Sequence, residues 1–290
     1  MKSIYVHLSP DKFSFSNELT HSDFTYSGIP EYAKYSFDQT EKFLKEKPIL
    51  LTNENITEDY VDEINSFYEI CKQGFPSFYR DPFWLTTLIR LYVVYLYCRE
   101  NNINEFIHLE YDNLIYSDFK QLSKLPPAIY FTRVGPYCSS AGFVYCNSLE
   151  KFEKFIKHLI KLLNVGELAV SQVTPFSFLS EMILIDIIGR YDNSTVKYLP
   201  ILPFEPANDN FTDLQTLYDG ASYGQFLGGT NNGAGPGWAE RHHYIGDNII
   251  SNKLQVFFNS QTKMPYVKYN NEIIPIANLH IHSKNLKQFC

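Results

Sequence analysis

Two acids one residue apart close the apolar run Phe106-Ile107-His108-Leu109: Glu110 and Asp112. On an extended strand, residues i and i+2 point to one face, so the two carboxylates would stand about 7 Å apart. Such a pair repels itself unless a cation sits between its members. Hard divalent ions such as Mg²⁺ or Mn²⁺ take oxygen ligands of this kind and fill their remaining positions with water or phosphate oxygens. Taken alone, the pair is better accounted for by an exposed acidic turn after a buried strand.

A second constellation lies far along the chain, at Asn278-Leu279-His280-Ile281-His282-Ser283-Lys284. Alternation would put His280, His282 and Lys284 on one strand face. Neutral imidazole suits Mn²⁺ better than Mg²⁺, and an ammonium beside it would hold a phosphate as a point charge. A polar strand carrying surface histidines is the plain alternative. Two half-sites so distant in sequence, each suited to a metal diphosphate, support one another.

Positioning these groups requires alternating helices and short strands. Ser3–His7 and Pro48–Thr52, ended by Asn53, read as strands. A helix follows from the capping signal Thr57-Glu58-Asp59, with apolar positions at Val61, Ile64, Phe67, Tyr68 and Cys71. The segment Phe83–Arg99, opened by Asp81-Pro82, is apolar on most faces and predicts a helix packed deeply on a sheet. Further strands are expected at 106–109 and at Ala128–Arg133, and a strand or tight turn at Ala141–Cys146. Helices are expected at Leu149–Leu163 and Thr174–Gly189, and late strands at Leu254–Phe258 and Pro265–Tyr269. That order predicts an α/β fold with a mixed sheet flanked by helices. No linker composition marks a border, so 1–290 reads as a single domain, with 1–125 and 126–290 as its two functional halves.

The helix Phe83–Arg99, the strand, Glu110-Tyr111-Asp112 and the exit Leu114-Ile115-Tyr116-Ser117-Asp118-Phe119 resemble the central motif of GT-A-fold glycosyltransferases, a Rossmann-type architecture. Glu stands here where the commoner motif has Asp. The resemblance implies a metal-dependent transfer of a hexosyl or pentosyl group from a nucleotide-diphosphate sugar, with UDP the first candidate, to a hydroxyl of a glycan or other acceptor. It implies Mn²⁺ or Mg²⁺ on Asp112, Glu110 and one of His280 or His282, with Glu110 alternatively touching ribose. It also implies Lys284 on the diphosphate, although the His-x-His-x-Lys spacing departs from the family's usual pattern. Arg90 would approach the donor sugar or pair with a nearby acid.

The segment Tyr137–Asn147 resembles the small-residue stretch that lines the donor sugar, offering Ser139, Ser140 and Gly142. Glu181 falls where related enzymes contact the transferred sugar, or else simply favours a helix N-terminus; it is read as opening an apolar helix from Phe178. The glycine-dense segment Asp219–Gly233 matches neither a P-loop nor a dinucleotide fingerprint. It suits a mobile lid or a close backbone approach to a ligand, with Asp219 as a candidate general base or a structural turn. Trp238, His242 and His243 could stack on an acceptor sugar or simply pack. A nucleotide-sugar hydrolase and a catalytically degenerate glycan-binding or scaffolding protein are the competing expectations.

Bulk composition limits the remaining options. The 290 residues carry a net charge of −7, from 25 Lys and Arg against 32 Asp and Glu, which disfavours nucleic acid as a partner. With 44% hydrophobic residues the chain can bury a sizeable core. Five scattered cysteines form no CxxC pair, and no apolar stretch is long enough to span a bilayer, so a reduced, soluble, cytoplasmic protein is expected.

Overall fold

The computed structural model describes residues 1–8, 28–52, 56–77, 82–176 and 179–290. Asn53 as a strand end, Asp81 as a helix cap and Phe178 as a helix opening lie outside the described residues.

Strands β1 (Lys2–His7) and β2 (Ile49–Thr52) are separated by helix α1 (Ala33–Leu44). Helices α2 (Glu58–Gly74) and α3 (Pro82–Glu100) lead to β3 (Phe106–Leu109) and the short β4 (Asn113–Ile115). The hairpin β5 (Ile129–Gly135) and β6 (Cys138–Cys146) precedes α4 (Leu149–Val165), α5 (Glu181–Tyr191) and β7 (Val196–Leu199). Six strands form one mixed sheet in the order β2-β1-β3-β6-β5-β7. Neighbours are parallel except where β6 runs against β3 and β5. This is the helix-flanked mixed α/β architecture that the alternating pattern predicts.

Alternation along the strands divides the core into two faces. Ile4, Val6, Phe106, Ile129, Phe131, Val144 and Cys146 face a cluster built with α2, α3, α4 and α5. Tyr5, Ile107, Leu109, Tyr130, Phe143 and Tyr145 face the opposite cluster, against which α1 places Phe37 and Phe43. Helix α3 buries Leu85, Leu88, Ile89, Leu91, Val93, Val94 and Leu96, which explains why its sequence shows no polar face.

Two element starts differ from expectation by several residues, and one expected capping bond is not made. Helix α5 begins at Glu181 rather than Thr174, and Thr174, Pro175 and Phe176 are not helical. The strand read from Ala141 begins at Cys138. Thr57 holds the N-cap position of α2, yet its side chain makes no capping bond.

The C-terminal part adds a three-stranded antiparallel sheet of β8 (Gln255–Asn259), β9 (Met264–Tyr269) and β10 (Glu272–Pro275). Strand β11 (Asn278–His280) then pairs antiparallel with β4, His280 opposite Asn113 and Asn278 opposite Ile115. Among the described residues no helix is long and apolar enough to cross a membrane.

Candidate functional site

Glu110 and Asp112 leave β3 at the edge formed by the C-terminal ends of the parallel strands. Chain order reverses there, because β1 is followed on one side by β2 and bordered on the other by β3. Open α/β sheets bind ligands at such a switch point. The acids do not extend the strand. Asn113 N–H closes a turn onto the Glu110 carbonyl at 3.0 Å, so the expected i, i+2 strand geometry is replaced by a turn that still aims both carboxylates at one place.

That place is the imidazole of His280. Its Nε2 lies 3.0 Å from Glu110 Oε2 and 3.1 Å from Asp112 Oδ1. Arg90 binds the other Glu110 oxygen, and Lys284 binds the other Asp112 oxygen. The resulting order, Arg90–Glu110–His280–Asp112–Lys284, alternates positive and negative charge through a mostly buried cluster. Arg90 therefore takes the ion-pair alternative of its two expected roles.

Charges packed this way shift one another's protonation. Burial alone would lower the His280 pKa, yet Asp112 and Glu110 push it up to about 10. Burial would raise both acids, but Arg90 and His280 hold Glu110 far below the carboxylate range, and His280 with Lys284 does the same for Asp112. His282 behaves oppositely: burial and the His280 charge bring it down to about 4, leaving a neutral ring. Its Nδ1 lies 2.8 Å from Gln225 Nε2.

The pairing of β4 with β11 brings these groups together across the chain. Ile281 N–H donates to the Asp112 carbonyl at 2.8 Å. Beneath it, Asn278 Nδ2 donates to Asn113 Oδ1 at 2.9 Å, and Asn278 Oδ1 accepts from Asp219 N–H at 3.0 Å. His282 and Lys284 lie beyond the three-residue strand, and Lys284 adopts φ 62°, so their shared location comes from a turn instead of strand alternation.

Asp112, His280 and His282 each offer a ligand atom, all within 4.8 Å of one another, and Glu110 adjoins the same imidazole. Carboxylate and imidazole together fit a divalent ion such as Mn²⁺, and fit Mg²⁺ less well. Asp112, His280 and His282 would hold the cation once His280 has given up its proton.

Other expected site residues fall differently. Asp219 is buried and accepts backbone N–H groups from Ser222, Tyr223, Gly224 and His280 at 2.7 to 2.9 Å. Both of its oxygens are thus committed to holding the turn before Tyr223–Gly228 against β11, which gives no support to a general-base role. The glycine-dense segment forms a short helix at Tyr223–Gly228. Gly224 makes a close backbone approach to His280: a Cβ there would lie 2.1 Å from the His280 carbonyl oxygen. Gly142 likewise leaves room for the His280 ring, since a Cβ on it would lie 2.6 Å from Nδ1.

Ser140 Oγ accepts from Gly142 N–H at 3.0 Å, while Ser139 is buried beside the Tyr198 hydroxyl. Neither serine bonds to the charge cluster. Glu181 is 5% exposed at the start of α5, with Oε2 unpartnered. Burial, then the Glu110 charge, raises its pKa to about 8 against the opposing pull of Arg90. Among the acceptor-side candidates, His243 Nδ1 lies 3.4 Å from Ser222 Oγ, His242 is exposed and Trp238 is half-buried.

Sequence reasoning missed Gln225, Asn113 and Asn278, although all three lie within segments it singled out. Their amides only acquire meaning once β4 and β11 pair.

No family model matches this chain, and no curated protein matches it. Among solved structures it is similar to mouse xyloside xylosyltransferase 1 at TM-score 0.44 and 12% identity, over 69% of this chain and 84% of that one. It is similar to the galactosyltransferase LgtC, bound to donor and acceptor sugar analogues, at TM-score 0.37 and 10% identity, over 69% and 73%. A glycosyltransferase involved in glycosylating the major capsid of the virus PBCV-1 matches at TM-score 0.35 and 9% identity, over 75% and 85%. Likenesses of that size carry no functional weight, so function has to follow from the side chains.

Proposed function

We propose that this chain is a metal-dependent GT-A-type glycosyltransferase that moves a sugar from a nucleotide-diphosphate sugar, UDP being the first candidate, to a hydroxyl of a glycan or other acceptor. One observation carries the reading. Two acids leaving β3 and the His280–Lys284 segment converge at the switch-point edge of the sheet, with Asp112 and Lys284 in direct contact. A site that binds a diphosphate through a divalent ion needs this combination: anionic and imidazole ligands for the ion, and a cation for the phosphate.

In this reading Asp112, His280 and His282 hold the ion, and Glu110 either joins them or meets the ribose. The bound ion would supply Lewis-acid neutralisation of charge growing on the departing diphosphate. Lys284, with its side chain 39% exposed, would turn from Asp112 to the same diphosphate and reinforce that neutralisation. Arg90 keeps Glu110 ionised and aimed into the cluster. Glu181, uncharged near neutral pH, would present a hydroxyl to the transferred sugar instead of a second repelling charge. Asp219 acts only through the backbone it holds. Residues 1–125 would serve the nucleotide, and 126–290 would complete the metal site and meet the acceptor. Five free cysteines suit a reducing, cytoplasmic setting.

Isothermal titration with UDP tests the reading. Binding that depends on Mn²⁺, and that Asp112→Ala abolishes, is the expected result. Absence of UDP binding both with and without Mn²⁺ would overturn it.

A further inference from the structure

Charge is distributed unevenly along this acidic chain. Residues 248–271 carry three lysines, Lys253, Lys263 and Lys268, and no Asp or Glu, in a chain of net charge −7. That stretch supplies β8 and β9 of the small C-terminal sheet, so one element of an acidic protein is locally positive.

Strand register shows which side chains share the outer face of that sheet. Val256, Val267 and Ile274 form one row, packed inward. Residues one step along each strand point the other way. They make two rows: Phe257, Tyr266 and Pro275, then Gln255, Lys268 and Ile273. An antiparallel sheet with one face on the core ordinarily turns a polar face to water. Here the Phe257 and Tyr266 rings stack at 5.6 Å and 27°, and Ile273 stands 62% exposed beside Lys268. Glu272 pairs with Tyr269 and, by the same alternation, belongs to the inner side.

Gln255 and Lys268 also border a hollow of about 490 Å³, whose wall includes Asn252, Lys253 and Asn271. Its charged lining is two ammonium groups, with amides between them and no carboxylate. Neither Lys253 nor Lys268 has an ion-pair partner among the described residues. Ammonium and amide N–H groups donate to phosphate oxygens. Protein–protein contacts are depleted in lysine, whereas the bilayer interface favours lysine flanked by aromatic and aliphatic side chains.

We propose that the outer face of β8, β9 and β10 docks on a bilayer of anionic phospholipid. Headgroup phosphates meet Lys253, Lys268 and the amides of the hollow. Phe257, Tyr266 and Ile273 enter the boundary between headgroups and acyl chains, so the protein lies on the bilayer without spanning it. Only Ile276 and Ala277 separate β10 from β11, which ties the docked sheet closely to the charge cluster. No covalent step is involved, and the inference does not rest on the glycosyltransferase reading.

Co-sedimentation of the intact protein with vesicles tests it. Vesicles of phosphatidylcholine and phosphatidylglycerol in equal parts should carry the protein down, and added salt should release it. Vesicles of phosphatidylcholine alone should leave it in solution. Lys253→Gln combined with Lys268→Gln should weaken the partition about thirtyfold. Lys157→Gln combined with Lys161→Gln removes the same charge from the exposed side of α4 and should change nothing. Ile273→Asp should also release the protein. Lys253, Lys268 and Ile273 are exposed, so these variants should fold, which their thermal transitions check. Failure to sediment with the mixed vesicles, equal sedimentation with both kinds, or equal losses in the two lysine pairs overturns the inference. So does a dimer in solution that Ile273→Asp dissolves, because the face would then be a contact between two copies of the chain.

Discussion

Gly142 and His280 are in such close contact that a single added carbon would collide: a Cβ on Gly142 would lie 2.6 Å from both Cε1 and Nδ1 of the imidazole. The same carbon would come within 3.2 Å of Glu110 Oε2. The ring that links the two acids is therefore seated against bare backbone.

Gly142→Ala should cost about 1 to 3 kcal/mol, as overpacking of a filled site does. Part of that cost should vanish in a His280→Ala background, where the ring is gone. A double-mutant cycle by urea denaturation measures the difference, and strict additivity would show that the contact has no energetic weight.

Glu181 should make stability depend on pH. Its carboxyl is 5% exposed and rises from the ordinary 4.5 to about 8 in the folded protein. Between those values the folded state keeps a proton that the unfolded chain has released. Stability should therefore fall as pH climbs from 4.5 to about 8 and be insensitive to this group outside that window. The swing is on the order of 5 kcal/mol. Glu181→Gln should flatten the profile, which chemical denaturation at a series of pH values would show; an unaltered slope would refute it.

Asp219→Ala should be among the most damaging single substitutions in the C-terminal half. Four backbone N–H groups would lose their acceptor, at about 1 to 3 kcal/mol for each one left buried without a replacement. Soluble yield and the urea midpoint are the readouts. A variant as stable as the wild type, yet devoid of transfer activity, would restore Asp219 to the chemistry.

Much of this was legible in the sequence for identifiable reasons. The alternation of apolar runs located β1, β2, β3, α3 and α4, because strand and helix periods are properties of neighbouring residues. The Glu110/Asp112 and His280/His282/Lys284 groups stood out by residue type. Their geometry did not, because turns at 110–113 and 281–284 replace the strand alternation assumed for both. The start of α5 was misplaced because Ser180 and Glu181 open the helix late, after Pro175. For Asp219 both a base and a structural turn stayed open, because its four donors are backbone groups, which no residue pattern reveals.

The pairing of β4 with β11 has a consequence for how the cluster comes into being. Every strand of the main sheet lies before Pro200, whereas the imidazole that joins the two acids arrives with residue 280. During synthesis, Glu110 and Asp112 have neither His280 nor Lys284 to offset their charge until residues 280–284 emerge. A nascent chain that reaches only Ala277 holds every strand of the main sheet, yet its two acids lack the imidazole and the ammonium that pair with them in the folded protein.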